Sequence, residues 1–341
     1  MLLNLIWAIL NVILIAGISS IFCNAVENFG EKLGISEGVT GAVFAAIATA
    51  LPETIIPVLA LITEPKSQGD IGADISIGAI LGAPFMLSTL ALFIVTISTL
   101  KKRGLTGVIK PERSGVYRDL KFFSIGYILV IIAAFIPHGD LYRYFCYFIA
   151  ILLFITYISY LYFTVKASKK LIEIGHQTVA NNKLLLSSLG LKDTMPIISI
   201  QLIFSIIMLI LVAKFFIINV VNLSQALNLS TFFISIVLIP IATEMPEKMN
   251  SIIWLKQRKD TLAISNITGA MVFQGTLLPI IGILYTNWTI ANPIHMISIG
   301  ATLLATLLFY VKLKRGELHV WMFISNMIIY IISILISFYL S

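Results

Sequence analysis

The sequence contains little cysteine and little histidine, and this scarcity excludes several kinds of site. Its two cysteines, Cys23 and Cys146, lie in apolar stretches and are too few for a disulfide framework or a cysteine-rich metal site. We interpret both as small buried hydrophobic residues. The histidines are His138, His176, His295 and His319. They are scattered without metal-ligand spacing, so we expect structural or solvated roles for them.

The sequence also lacks the short motifs of common enzymes. It contains no H-E-x-x-H, no G-x-S-x-G and no glycine loop of the kind that holds phosphate. Glu244 and Glu247 are spaced like ligands of a di-metal enzyme, but they have no histidine partners. We therefore expect neither an enzyme nor a bound cofactor.

Charge is scarce as well. Charged residues make up 11% of the chain, against about 25% in an ordinary soluble domain. Hydrophobic residues make up 59%, and the mean hydropathy is +1.00. This composition predicts an all-α polytopic membrane protein whose surroundings are the lipid bilayer. The formal net charge of +7 lies mainly in the loops, so it does not indicate a nucleic-acid partner.

Ten apolar runs, each about long enough for a span of roughly 20 residues, follow one another along the 341 residues. They are 2–23, 38–63, 72–100, 122–138, 141–165, 196–221, 226–254, 261–286, 291–312 and 317–340. The longest polar interval, 166–195, separates the first five runs (1–165) from the last five (196–341). Since five spans end on the opposite side of the membrane, the second set must be inverted relative to the first. We therefore predict ten transmembrane helices in two inverted five-helix repeats joined by a cytoplasmic loop.

Basic residues are concentrated in alternate loops of this pattern. They cluster after runs three, five, seven and nine, whereas the opposite loops hold few, Lys66 and Arg143 among them. Because basic loops favour the cytoplasmic side, we expect an integral protein of the cell membrane with both termini extracellular. The sequence predicts no particular oligomeric state.

Two short stretches, 48–53 (A-T-A-L-P-E) and 242–247 (A-T-E-M-P-E), stand out because each places a Pro-Glu pair inside an apolar run. Their threonines, prolines and glutamates are separated by a constant 194 residues. A carboxylate at membrane depth is costly and usually faces a partner or a water-filled cavity. A proline removes one helical hydrogen bond and exposes backbone carbonyls. The pair therefore predicts two matched broken helices and a duplicated cation site near the membrane centre.

At these residues the chain resembles the cation/calcium exchanger superfamily, which has a G-T-S-L-P-E-like element in each of two inverted repeats. The family's second element, G-N-x-x-G-S-N, corresponds to G-A-I-L-G-A-P-F at 78–85 and to S-N-I-T-G-A-M-V at 265–272, both degraded. The resemblance covers nearly the whole chain. It implies that Glu53 and Glu247 hold Ca²⁺, and that Thr49 and Thr243 add oxygen ligands from the broken helices. Calcium binds six to eight oxygens, so the chemistry of these residues agrees.

Several positions depart from the family pattern. The serines that follow the two threonines are replaced by Ala50 and Glu244, and those of the second elements by Ala83 and Ala270. Leu87 and Gln274 occupy the next two positions, which complete the ion site in the family. We expect Gln274 to be a neutral ligand.

Two positions allow two interpretations each. Glu244 either joins the ion site, which its family position favours, or reaches the aqueous vestibule. Pro84 either opens a further helix break or only kinks the helix. Acidic residues outside the site have other expected roles. Glu27, Glu31 and Glu37 form a solvated entrance. Asp70 and Asp74 either cap a helix start, which is the favoured interpretation, or form a cation funnel.

The favoured function is a secondary antiporter that exchanges a divalent cation, Ca²⁺ first, for Na⁺ or H⁺. Loss of four serine hydroxyls should weaken Na⁺ sites, while Glu244 adds a group able to carry a proton, so proton coupling is at least as favoured as sodium coupling. There are two alternatives. One is a passive cation channel, because carboxylates also select cations in channels. The other is an exchanger of another divalent ion such as Mg²⁺.

Overall fold

The computed structural model of the protein describes residues 2–50, 53–54, 57–58, 71–137, 139, 141–226, 243–289 and 293–340. This part of the chain is mostly helical, which confirms the predicted all-α class. Pro52, Lys66, Asp70, His138 and Ala242, which enter the sequence predictions, lie outside the described residues.

Each of the ten apolar runs contains a described helix. The helices are α1 (Leu2–Leu33), α2 (Glu37–Thr49), α3 (71–97), α4 (Arg113–Ala134), α5 (Tyr142–Glu173), α6 (Met195–Ala226), α7 (Met245–Lys256), α8 (Asp260–Tyr285), α9 (Pro293–Arg315) and α10 (Ile324–Leu340). Shorter elements are a one-turn helix (Leu100–Arg103), two 3₁₀ turns (Leu185–Leu189 and Val320–Phe323) and two short strands, β1 (Val108–Ile109) and β2 (Leu318–His319).

Among the described residues, 7 helices are long and apolar enough to cross a membrane: α1, α3, α5, α6, α8, α9 and α10. The other three helices, α2, α4 and α7, are too short or too polar to meet this criterion. Charged residues such as Arg113, Arg118 and Asp119 occupy the first turns of α4. The short helices α2 and α7 end and begin, respectively, at the A-T-x-x-P-E stretches.

Two helices extend well beyond their predicted ends. α1 continues to Leu33 instead of ending near 23, and α5 continues to Glu173 instead of 165. These extensions are more polar than the runs, but they pack against other loops. Val26 and Leu171 are buried, and the Ser168 hydroxyl accepts a hydrogen bond from the Ser36 amide at 2.9 Å. Tertiary contacts therefore lengthen helices that hydropathy alone would end.

Helices α3 and α8 form the centre of the bundle. In the most apolar stretch of each of these two helices, 78% of the residues are buried. The corresponding share is 28% in α6 and α10, whose large apolar side chains face outward. Helix packing across the two halves is reciprocal: α2 contacts α8 as α7 contacts α3, and α4 and α5 contact α8 as α9 and α10 contact α3. Two structurally equivalent halves related by a two-fold axis would produce this reciprocity.

The approach of α2 to α8 depends on glycine. A Cβ added at Gly41 would lie 2.7 Å from the Leu262 carbonyl oxygen, and one at Gly269 would overlap the backbone of Ala42. Small residues at such a crossing let two helix backbones come into direct contact inside a membrane. Gly269 belongs to the second motif element. The glycine of this element is therefore kept at the point where the backbones of α2 and α8 are in contact.

The basic loops meet on one side of the protein, which we call the basic face. It comprises the connections after α1, α3, α5, α7 and α9. Strand β1 pairs antiparallel with β2, Ser36 forms a bridge with Gln177, and the Asn181 side chain donates to Gln257 at 3.1 Å. The structure thus brings together the loops that the charge pattern assigned to one side.

Two buried ion pairs hold the basic face together. The Arg103 guanidinium contacts both carboxylate oxygens of Asp260, at 2.8 and 2.6 Å. Lys259 Nζ lies 2.6 Å from the Glu27 carboxylate, which also accepts a hydrogen bond from the Trp254 indole at 2.9 Å. Both pairs anchor the α7–α8 connection, one to the loop after α3 and the other to the end of α1.

The expectation of a solvated entrance is therefore wrong for Glu27. Glu27 is only 4% exposed, because the extended α1 carries it under the loop between α5 and α6, where the Asn181 amide also donates to it. Glu31 is exposed, and Glu37 lines an open cavity of about 630 Å³ together with basic residues. Of the three, only Glu31 and Glu37 reach solvent.

Replacing Glu27 should therefore destabilise the protein strongly. Glu27→Gln leaves the Lys259 ammonium buried without its counter-charge, a change that typically costs about 3–5 kcal/mol. The matched control is Glu31→Gln, an exposed position one turn further along α1, where we expect a change within about 0.5 kcal/mol. The thermal unfolding of both variants in detergent, followed by circular dichroism, measures the difference. Equal unfolding temperatures for the two variants would show that the buried pair contributes nothing.

Candidate cation site

The two A-T-x-x-P-E stretches have the same backbone irregularity at the same place. Helix α2 ends at Thr49, and Ala50 has φ −81° and ψ 3°. In the second half, α7 begins at Met245 after Glu244, which has φ −85° and ψ 9°. Ala50 and Glu244 are themselves 194 residues apart. These bridge-region dihedrals interrupt the regular helix in both stretches. The carbonyls at the interruptions are nevertheless engaged, because Ala50 accepts a hydrogen bond from the Thr54 hydroxyl at 3.0 Å and Glu244 accepts one from the Lys248 amide at 3.2 Å.

Three carboxylates lie buried at these interruptions. Glu53, Glu244 and Glu247 are 4%, 0% and 0% exposed. Both oxygens of each carboxylate make no hydrogen bond within the described residues. Glu53 lies within electrostatic reach of Glu244 and Glu247, so residues from the two halves of the chain approach one another. Six buried oxygens without hydrogen bonds are costly unless a cation or water compensates them.

The two predicted threonines are also buried beside the interruptions. The Thr49 hydroxyl donates to the Ala45 carbonyl at 3.0 Å and lies beside the Glu247 carboxylate. Since its proton is already engaged by the backbone, the oxygen lone pairs remain available for a cation. Thr243 is buried in the last helical position before Glu244.

Helix α8 adds amide groups to the same region. The Asn266 side chain donates to the Glu247 carbonyl at 3.2 Å and to Ser251 at 3.0 Å, while its Oδ1 makes no hydrogen bond among the described residues. Gln274 lies about two turns further along α8. It is fully buried, and neither its amide oxygen nor its amide nitrogen has a hydrogen-bond partner in the described structure.

Helix α3 contributes no helix break. It continues through Pro84 and then widens into a π-helical turn at Leu87–Ala91, in which Thr89 donates to the Phe85 carbonyl at 2.5 Å. Of the two interpretations of Pro84, the structure shows a local distortion. Leu87 is buried and presents only carbon at the position where the family's pattern has an oxygen ligand.

One functional candidate was missed by the sequence analysis. Lys248 is 3% exposed, and its Nζ lies 3.8 Å from Glu244 Oε2. It is also within electrostatic reach of Glu247 and Glu53. The available signal was its position in an apolar run, four residues after Glu244, where the two side chains share a helix face.

The arrangement offers three kinds of oxygen that a hard cation accepts: carboxylate, hydroxyl and amide. In the conformation described, no three acidic, cysteine or histidine side chains of the described residues converge closely enough to hold one metal ion. Two carboxylates, neutral oxygens and water therefore form the donor set that fits. The site is buried between helices that are interrupted in both halves, an arrangement typical of membrane transport proteins.

Comparison with known proteins identifies the class more closely. The family model described as sodium/calcium exchanger protein matches residues 3–166 and 197–339, which is most of the chain in two parts. The chain belongs to the sodium/calcium exchanger family, whose members are transporters and not enzymes. The two matched parts are separated by the polar interval between the halves.

Individual relatives match most of the chain. The uncharacterized membrane protein MJ0091 of Methanocaldococcus jannaschii is 25% identical over 308 residues, which cover 90% of this chain and 89% of that protein. The structure of the sodium-calcium exchanger NCX_Mj soaked with 2.5 mM Na⁺ and 0.1 mM Ca²⁺ has a TM-score of 0.72 at 22% identity, covering 98% of both chains. The same exchanger soaked without Na⁺ and Ca²⁺ gives 0.70 at 23% identity, covering 98% of this chain and 99% of that one. These structures share the fold.

Buried carboxylates that repel one another should destabilise the protein when no ion is bound. Glu53→Gln removes one of these charges from a low-dielectric region, so we expect a higher unfolding temperature than that of the wild type in ion-free buffer containing a chelator. The same variant should lose the stabilisation that Ca²⁺ gives the wild type. Thermal unfolding in detergent with and without Ca²⁺ measures both effects, with Glu31→Gln as the control. A variant that is still stabilised by Ca²⁺ as strongly as the wild type would exclude Glu53 from the site.

Proposed function

We propose that the protein is a secondary-active antiporter that exchanges a divalent cation, Ca²⁺ first, for Na⁺ or H⁺ across the cell membrane. One observation carries this proposal: two helix interruptions at equivalent positions of the two halves, each with a buried glutamate that has no hydrogen-bond partner among the described residues. Membership of the sodium/calcium exchanger family supports the same function.

In this proposal Glu53 and Glu247 neutralise the divalent ion. Thr49 and Thr243 add oxygens at the ends of the interrupted helices, and Gln274 adds a neutral amide oxygen from α8. Glu244 contributes charge to the site and is held by Lys248. Ca²⁺ fits such a set better than Mg²⁺, because Ca²⁺ accepts irregular shells of six to eight oxygens while Mg²⁺ requires a near-ideal octahedron and retains water.

Alternating access follows from the relation between the halves. We propose ten spans in two inverted repeats, 1–165 and 196–341, joined by 166–195. The reciprocal packing of α2 on α8 and of α7 on α3 supports this relation. Inverted repeats place the ion between them, and rocking of one set of helices against the other opens the site to each side in turn. The basic face is then cytoplasmic, and both termini are extracellular.

A passive channel is the second candidate. Rings of carboxylates select cations in channels as well, and the same residues would line such a pore. The burial of all three carboxylates at 4% exposure or less favours the antiporter, because a site without open access to either side requires a conformational change before the ion can leave.

The counter-ion depends on Glu53 and Glu247, whose carboxylates make no hydrogen bond within the described residues. Because Lys248 lies against Glu244, we expect one of these two glutamates, and not Glu244, to carry a proton. Glu53 and Glu247 then exchange the divalent ion for Na⁺ or H⁺ directly. Ala50, Ala83 and Ala270, which lack the hydroxyls of the family pattern, argue against a close-fitting Na⁺ cage made of side chains.

Transport by reconstituted protein tests the proposal directly. Liposomes containing the wild type should take up radioactive Ca²⁺ only when an opposing Na⁺ or H⁺ gradient is imposed. Glu247→Gln should reduce this uptake at least about a hundredfold, because a divalent ion loses a full counter-charge in a low-dielectric site. Glu31→Gln, on the exposed surface, should transport normally. Uptake that runs down the Ca²⁺ gradient without any counter-ion would establish the channel instead.

Imposing the two gradients separately identifies the counter-ion. Because alanines stand where the family pattern has hydroxyls, we expect a pH gradient alone to support at least as much Ca²⁺ uptake as a Na⁺ gradient alone. The matched variant is Ala50→Ser, which restores one hydroxyl of the family pattern and should increase the Na⁺-driven share. Strict dependence on Na⁺ in the wild type would contradict the proton-coupled mechanism and leave the antiporter proposal standing.

A further inference from the structure

Lys248 has an unusual position for a lysine. It lies in the first turns of α7, at the positive end of the helix dipole, where a cation is unfavourable. It is also buried, which costs several kcal/mol for an ammonium group unless a counter-charge compensates it. Neither the stability of α7 nor its solvation explains a lysine here, whereas the three surrounding carboxylates do.

The contacts of Lys248 define its partner. Its Nζ is 3.8 Å from Glu244 Oε2, and the backbone amide of Lys248 donates to the Glu244 carbonyl at 3.2 Å. Glu247 and Glu53 act on the same ammonium group from a greater distance. Lys248 is therefore paired with Glu244 and lies in the field of the other two carboxylates.

The charges of the site can then be counted. Glu53, Glu244 and Glu247 carry three negative charges when ionised, and Lys248 carries one positive charge. The net charge is −2, which equals the charge that one divalent ion or two monovalent ions neutralise. Without Lys248 the same carboxylates would require a third positive charge from solution.

We propose that Lys248 is a built-in counter-cation of the ion site, which occupies the place of a monovalent ion beside Glu244 and fixes the charge available to transported ions at −2. The inference builds on the proposed function, because it assigns the charge of that same site. It predicts that one divalent ion exchanges for two monovalent ions and that Glu244 is compensated in every state of the cycle.

Comparing ions of different charge tests this assignment without transport. Ca²⁺ and Tb³⁺ are similar in size and differ in charge, so their relative affinities report the charge of the site. The protein is used in detergent, and binding of each ion is measured by titration calorimetry. The variants are Lys248→Gln, with a site charge of −3, and Glu244→Gln/Lys248→Gln, with the charge returned to −2.

We expect Lys248→Gln to shift the affinity ratio toward Tb³⁺ by about tenfold or more, the effect of one unit charge several ångströms away at an effective dielectric constant of about 20. The double variant should return the ratio to that of the wild type, although it lacks both side chains. A lysine needed only for folding would not produce this rescue. Equal ratios in all three proteins would overturn the inference.

A further variant covers the case in which Lys248→Gln does not fold. Glu244→Gln alone lowers the site charge to −1 and should weaken Ca²⁺ binding about tenfold or more, and the double variant should restore it. Unchanged Ca²⁺ affinity in Glu244→Gln would again overturn the inference. Failure of the wild type to bind Ca²⁺ at all would instead reject the proposed function, so the two failures are distinguishable.

Discussion

The structure depends on the burial of four charged groups inside an apolar helix bundle. Glu53, Glu244 and Glu247 lie with Lys248 where almost no surface is exposed. Burial of an isolated charge is among the largest unfavourable terms in protein folding, so a compensating charge must be present. In the proposed function, Lys248 compensates one carboxylate and cations from solution compensate the other two. Ion binding would then be a condition of the stability of the site.

The surrounding helices satisfy that requirement by their arrangement. The helices are interrupted at Ala50 and Glu244, and the glycines at 41 and 269 let α2 and α8 come into direct contact beside these interruptions. Buried ion pairs on the basic face, Lys259 with Glu27 and Arg103 with Asp260, fix the connection between α7 and α8. The helices that hold the site are therefore anchored away from it, and within the described residues the oxygens of its three carboxylates make no hydrogen bond.

The sequence predicted the features that repeat. Hydropathy located a helix in each apolar run, and the constant spacing of Thr, Pro and Glu indicated the equivalent interruptions, because such patterns depend on local chemistry alone. Features that depend on tertiary contact were missed. Three such features are the length of α1, the burial of Glu27 and the pairing of Lys248 with Glu244. Each depends on which residues pack against it in the folded protein. Pro84 shows the same limit, since only its neighbours decide between a broken helix and a distorted one.

The central claim is that glutamates from the two halves share one ion, and the number of Ca²⁺ ions bound per chain tests it most directly. Equilibrium dialysis with radioactive Ca²⁺ on purified wild type, Glu53→Gln and Glu247→Gln gives that number. One shared site predicts one ion per wild-type chain and strongly weakened binding in either variant, since each removes half of the negative charge left for the ion. Two ions in the wild type, with one retained at full affinity in each variant, would show that each half binds its own ion and would contradict the account.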